Sequence, residues 1–156
     1  MLKTFSFPMP PSINHYYGHA VNSRTKKPII YILPKGIWYR QQVYFLTCNK
    51  IRKINNPFYT DKLYIHIKFF PKSPLRDIDN PLKCLFDAIT HSQIWKDDRQ
   101  IRICLLEFND KTSSKDYLNI TICNDVSEYL DYIMLILADK KRNLTAYLPG
   151  NKNNES

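Results

Sequence analysis

Between Leu63 and Glu107 the spacing of apolar residues changes twice, and the two changes leave few folds open. Leu63, Ile65, Ile67 and Phe69 alternate with Lys62, Tyr64, His66 and Lys68, the period of a half-buried strand. Leu82, Leu85, Phe86 and Ile89 then recur at helical spacing, and Ile101, Ile103 and Leu105 return to a period of two. A strand, helix and strand in this order form a right-handed crossover when the strands are parallel. Residues 2–7 read as an earlier strand ended by Pro8, Pro10 and Pro11, with a loop running on to about Pro34. Tyr117–Cys123 reads as a last strand, joined to its predecessor as a hairpin through N-D-K-T-S-S-K-D. A helix is expected over 36–54, with Trp38, Gln41, Gln42, Phe45 and residues 47–51 as a broken stripe and Lys50, Arg52 and Lys53 in its last turn. Another is expected over 125–141, with Val126, Leu130, Ile133 and Leu137 inward and Tyr129 beside them. The expected fold class is α+β: a single domain with a mixed four-stranded sheet, helices packed mainly on one face, and a C-terminal helical extension.

The connection inside the crossover carries the chemistry. Asp77 and Asp79 flank apolar Ile78, so in extended backbone both carboxylates leave one face, and Asn80-Pro81 reads as a helix N-cap followed by proline at the first helical position. Lys83 falls one turn from Asp79, and the pair Asp97-Asp98 returns after the helix, where the chain can fold back beside the first acids. Oxygen donors with no Cys or paired His among them suit a hard cation such as Mg²⁺, with Mn²⁺ able to substitute. Such an ion generates a nucleophilic water for phosphodiester hydrolysis, and a second ion about 4 Å away stabilises the leaving oxygen. A calcium loop is excluded, because its sixth and twelfth positions require Gly and Glu and hold Leu82 and Ala88. A P-D…[DE]-x-K nuclease site fits poorly, since Lys83 comes three residues after Asn80.

The segments R-D-I-D-N (76–80), Lys83, F-D-A-I-T (86–90) and W-K-D-D-R-Q-I (95–101), with P-P-S-I-N (10–14) upstream and Tyr16-Tyr17 after it, closely resemble the RusA family of Holliday junction resolvases. The resemblance covers most of residues 1–124. It implies a Mg²⁺-dependent endonuclease that binds four-way DNA junctions as a homodimer and nicks two strands symmetrically. By position it implies Asp77, Asp79 and Asp98 as catalytic and metal-holding carboxylates and Lys83 as a functional lysine. Asp98 is preferred to Asp97 on family spacing, and neighbours on extended backbone point to opposite faces. Arg76, Asn80, Asn14, Lys72 and Arg99 are the expected DNA contacts. Residues 1–124 are the expected endonuclease domain, 125–148 an extension beyond the usual family core, and 149–156 a polar, disordered tail.

Composition agrees with this reading. The chain has 156 residues, 23 Lys and Arg against 14 Asp and Glu, and a formal charge of +9, which favours a polyanionic partner. Arg24, Lys26 and Lys27 stand among Tyr16, Tyr17 and Tyr31, a mixture suited to phosphates and exposed bases. Cys48, Cys84, Cys104 and Cys123 are widely spaced and read as core thiols of a cytoplasmic protein, not a zinc site. His15 and His19 are four apart, but Gly18 and Pro-Pro-Ser place them in loop, and His66 and His91 are solitary. The longest nearly apolar run, 129–138, is short and contains Asp131, so neither a membrane span nor a leader is expected. No small-molecule organic cofactor is expected. The alternatives are a non-catalytic branched-DNA-binding protein and a more general flap or branch nuclease.

Overall fold

The structure, a computed structural model, describes residues 1–51, 58, 61–73, 80–109 and 113–147. Arg76, Asp77 and Asp79, the basic residues Arg52 and Lys53, and the tail at 149–156 lie outside them. The elements run β1 (Leu2–Pro8), α1 (Ile13–Tyr16), β2 (Tyr17–Val21), β3 (Pro28–Ile32), α2 (Pro34–Ile51), β4 (Leu63–Phe70), α3 (Leu82–His91), a 3-10 turn (Asp98–Gln100), β5 (Ile101–Phe108), β6 (Tyr117–Cys123) and α4 (Val126–Tyr147).

The four-stranded sheet has the order β1-β6-β4-β5. It is mixed as expected: β4 and β5 are parallel, whereas β6 is antiparallel to both β4 and β1. The expected hairpin of the last two strands is not formed, because β4 lies between them. The physical reason is the burial of β4, whose Leu63, Ile65 and Ile67 are fully buried and need neighbours on both edges. With β5 delivered to one edge by the crossover, β6 fills the other.

One face of the sheet carries Phe5, Phe7, Ile65, Ile67, Phe69, Leu118, Ile120 and Ile122, packed with Cys84, Leu85, Ala88 and Ile89 of α3 and with Tyr39 and Val43 of α2. The inward stripe of α2 is Tyr39, Val43 and Thr47, spaced by four, and not the expected one: Trp38 is 60% and Phe45 69% exposed. Cys84 and Cys123 are buried as expected, but Cys48 is half-buried and Cys104 is exposed on edge strand β5; all four are free thiols.

The other face is polar and is crossed by α4. His66 Nε2 and Glu107 Oε2 are 3.1 Å apart, His66 Nδ1 and the Tyr132 hydroxyl 2.9 Å apart, and Lys68 and Lys140 reach Glu107 Oε1 at 2.8 and 3.1 Å. Burial holds His66 below the usual histidine range, its Nε2–H donates to the Glu107 carboxylate, and the Tyr132 hydroxyl beside Nδ1 donates to Thr121 Oγ1 at 3.2 Å. Tyr129, buried, donates its hydroxyl to the Ile65 carbonyl at 2.8 Å. Val126, Leu130 and Leu137, expected inward, are 43%, 51% and 51% exposed. A helix docking on a polar sheet face anchors through hydroxyls and an ammonium, so its apolar stripe does not mark its buried side.

The expected loop over 8–34 holds α1 and a hairpin, β2 paired antiparallel with β3. His15 therefore sits in a short helix and His19 in a strand. Asn22 turns the hairpin, its side chain accepting from Arg24 N and Thr25 N, and Lys26 takes a positive φ of 56°. Arg24, Lys26 and Lys27 are exposed at the tip. Gly18 lies opposite Tyr31, whose ring occupies the space a β-carbon would need. Among the described residues no helix is long and apolar enough to cross a membrane.

Candidate active site

The end of α3 is anchored by Trp95. Its ring is fully buried edge-on to Phe86, with centroids 5.8 Å apart, and its indole N–H donates to Thr90 Oγ1 at 2.7 Å. Gln93, with φ 61°, reverses the chain after the helix. The chain is thereby brought back along α3, and Asp97 and Asp98 arrive near Lys83 and Asp87.

Adjacent, the two acids have different work. Asp97 is the N-cap of the 3-10 turn: its Oδ1 accepts from Arg99 N at 2.8 Å, while the Gln100 side chain accepts from Asp97 N at 3.0 Å, a reciprocal capping box. The Arg99 N–H, first among several contributions, holds the Asp97 carboxyl below the usual range. Gln100 also donates to the Phe58 and Asp61 carbonyls at 3.1 and 2.7 Å, fixing the turn to the segment before β4. The cap thus gives Asp97 an architectural role and leaves Asp98, half-buried, as the acid presented by the turn.

Asp87, read from sequence only as the partner of Lys83 on a helix face, belongs to this corner. Lys83 Nζ donates to Asp87 Oδ1 at 3.0 Å, with side chains 54% and 19% exposed. The Asp87 carboxyl is nonetheless pushed up to about 6, first by burial and then by the neighbouring charge of Asp98. The exposed ammonium does not offset these effects. A half-buried carboxyl beside a second acid is a place of accumulated negative potential, and its all-oxygen donor chemistry fits a hard divalent cation. No group of three metal-ligating side chains is assembled among the described residues, and Asp77 and Asp79 are not among those residues.

The sign of the Asp87 shift gives a prediction. A folded-state value of about 6 against 3.8 means that folding disfavours the ionised form, so this group's contribution to stability is greatest below 3.8 and is lost as pH rises through about 6. Asp87→Asn is expected to raise the melting temperature of the metal-free protein at pH 7 and to leave it nearly unchanged at pH 3.8. Thermal unfolding of both proteins across this range checks it, and a destabilised variant at pH 7 would refute it.

The remaining expected site residues are dispersed. Asn80 is not the helix N-cap: Pro81 occupies that position with no side-chain cap bond, and Asn80 Oδ1 accepts from Ile13 N at 3.1 Å. The side chain serves the longer-range need because Leu85 N already bonds to the Pro81 carbonyl. One hydrogen bond thus joins the P-P-S-I-N segment to the acidic motif. Asn14 is exposed on α1 next to that bond. Lys72 is exposed, its backbone N–H donating to Asp116 Oδ1 at 2.6 Å, and Arg99 is 90% exposed with its Nε 3.5 Å from Asp97 Oδ1. Arg76, Asp77 and Asp79 lie outside the described residues.

A basic chain that gathers carboxylates and a lysine at one helix-bounded corner has the equipment of a phosphodiester-cleaving enzyme, and comparison with known proteins gives its kind: an endodeoxyribonuclease. The chain belongs to the RusA family, whose model, described as Endodeoxyribonuclease RusA, matches residues 8–123. It is similar to the crossover junction endodeoxyribonuclease of Enterobacteria phage HK97, 35% identical over 99 residues that cover 62% of this chain and 73% of the relative. The proteins of the same name from Shigella sonnei and Escherichia coli are 33% and 32% identical over 103 residues, covering 63% of this chain and 75% of each relative. Helix α4, which begins at Val126, lies beyond the matched span.

Proposed function

We propose that this chain is a Holliday junction resolvase of DNA recombination and repair, acting in the cytoplasm as a homodimer that nicks two strands of a four-way junction symmetrically with Mg²⁺, or Mn²⁺ in its place. The observation that supports this most is Asp98, held on a capped turn beside Asp87 and Lys83 in a chain whose relatives are named crossover junction endodeoxyribonucleases. Asp77, Asp79 and Asp98 are the proposed ion-holding and catalytic carboxylates, the part of the first two resting on the motif. A divalent ion held there supplies Lewis acidity toward the phosphodiester. Lys83 offsets the charge that develops as the 3′-oxygen leaves, and Asp87 holds the ammonium in place at 3.0 Å.

Exposed Asn14, Lys72 and Arg99, together with Arg76, are proposed to hold the DNA, and Arg24, Lys26 and Lys27 at the hairpin tip extend the basic surface. Asn80, engaged with Ile13 N, acts by positioning the loop that faces the substrate. Two symmetric nicks require two active sites, which a twofold dimer presents to a twofold junction.

The test is cleavage of a synthetic four-way junction beside linear duplex and flap DNA of matched sequence, with Mg²⁺ or excess EDTA. Paired, ligatable nicks with 5′-phosphates on the junction alone, lost in EDTA, are expected. Equal cutting of the flap favours a general branch nuclease, binding without cleavage favours a non-catalytic branched-DNA binder, and unchanged cutting in EDTA overturns the metal assignment. Junction binding without metal is expected to weaken with salt at a log–log slope of about −0.9 per phosphate contacted, and a salt-insensitive complex would count against phosphate recognition.

A further inference from the structure

A cleft of about 650 Å³ opens beside the start of the motif helix. One wall is the proline-rich stretch after β1, one is the first turns of α2 with Lys35, Trp38 and Tyr39, and one is Asn80-Pro81. The prolines have fixed φ and no N–H, so that wall is stiff and apolar. Its size falls in the range of roughly 300–1,000 Å³ typical of small-ligand sites, enough for one nucleoside.

One feature is costly for a protein that leaves the cleft empty. Trp38 is 60% exposed on a helix whose inward stripe is satisfied by Tyr39, Val43 and Thr47, so its indole contributes little to the core. Tyr39 also lines the cleft, but it is 1% exposed and its fully buried hydroxyl is out of a ligand's reach. Lys35 and His15 line the same cleft, and Asp116, whose Oδ1 already accepts from Lys72 N, adds a carboxylate.

An exposed indole, a carboxylate and a lysine around one space match the parts of a nucleotide: a π-face, a hydrogen-bonding edge with donors, and a phosphate. We infer that this cleft receives one unstacked nucleobase of the branched DNA, its ring on Trp38, its polar edge toward Asp116, and its phosphate toward Lys35. The inference rests on the proposed function and deepens it, because a base at a branch point is the one most cheaply taken from its stack. Asn80 joins the two: it lines the cleft and ends the R-D-I-D-N motif, so a base held here lies beside the proposed site of cleavage. Trp38 then positions the strand and selects unstacked DNA over duplex.

The chain has two tryptophans, and Trp95 is fully buried, so quenching of intrinsic fluorescence by added DNA reports Trp38. The probes are a short single-stranded deoxyoligonucleotide and an abasic strand of the same length and charge. The base-containing strand is expected to quench and bind at least about tenfold more tightly than the abasic one, the scale of one base–aromatic stack. Anisotropy of a labelled strand is expected to show Trp38→Ala weakened about tenfold and Trp38→Phe within threefold of wild type. Melting of the variants at the wild-type temperature shows that the fold is kept. Equal binding of both strands, or wild-type affinity in Trp38→Ala, overturns the inference. Junction nicking by the wild type, run in parallel, separates the two readings. Nicking with base-independent binding defeats the cleft alone, and base-dependent binding without nicking defeats the resolvase reading alone.

Discussion

Asp98→Asn is expected to lower junction nicking about 10³-fold while leaving the dissociation constant for the junction within threefold. The substitution conserves shape, and the 3-10 turn that carries the residue is held by Asp97, Gln100 and their bonds to Arg99 N and the Phe58 and Asp61 carbonyls, none of which uses the Asp98 side chain. What is lost is one full charge toward the proposed ion, whose stabilisation of the transition state would be worth several kcal/mol, at tenfold in rate per 1.36 kcal/mol. The comparison that gives the prediction its force is Asp97→Asn. Asparagine caps about as well as aspartate, so the turn survives and most activity is expected to remain. Rates of single-turnover nicking for the two variants decide the matter. A ranking in the opposite order would assign the ion to Asp97 and reduce Asp98 to a surface acid.

That distinction shows how far the residues alone could lead. The crossover was legible because its period changes, from Leu63 through Ile89 to Leu105, are enforced by burial on both sides of β4 and one side of α3. The preference for Asp98 over Asp97 rested on family spacing, and the capping box closed by Gln100 that engages Asp97 is seen only in the structure. Asp87 was hidden for a related reason. In sequence it is four residues from Lys83 and satisfies a helix pair, and only the fold shows Asp98 beside it and its carboxyl drawn into the interior. The β2–β3 hairpin left no trace in the pattern, since nearly all its residues are exposed or half-buried and no inside face is written in an alternation. Its register comes from Asn22 and the Gly18–Tyr31 pair instead. The reading of α4 assumed that apolar residues face a protein interior, which fails where the surface beneath is His66, Glu107 and Thr121.

That polar surface yields the second large effect. Glu107→Ala is expected to destabilise the protein by about 2–3 kcal/mol at pH 7, measured by urea unfolding, with faster amide exchange along α4. Glu107 is 8% exposed and is the shared acceptor of His66, Lys68 and Lys140. Removing one partner of a buried ion pair costs roughly 3–5 kcal/mol, and the lower figure follows because Lys68 and Lys140, 34% and 48% exposed, can turn toward water. His66 cannot, and its Nε2–H is left without an acceptor. The pH dependence has a definite sign. Burial alone pushes the Glu107 carboxyl up, but the hydrogen bonds from Lys68 and Lys140 outweigh it and hold the group below 4.5, so its contribution is present above 4.5 and is lost as pH falls through the folded value. His66, held below 6.5, also favours the fold above 6.5 and opposes it as acid charges the ring. Both groups therefore loosen α4 in acid, against the trend set by Asp87. A Glu107→Ala protein with the wild-type urea midpoint would mean that the cluster is solvated and that Tyr129 and Tyr132 alone dock the helix. A loss restored by Glu107→Gln would assign the effect to the hydrogen bond from His66 rather than to the two ammonium groups.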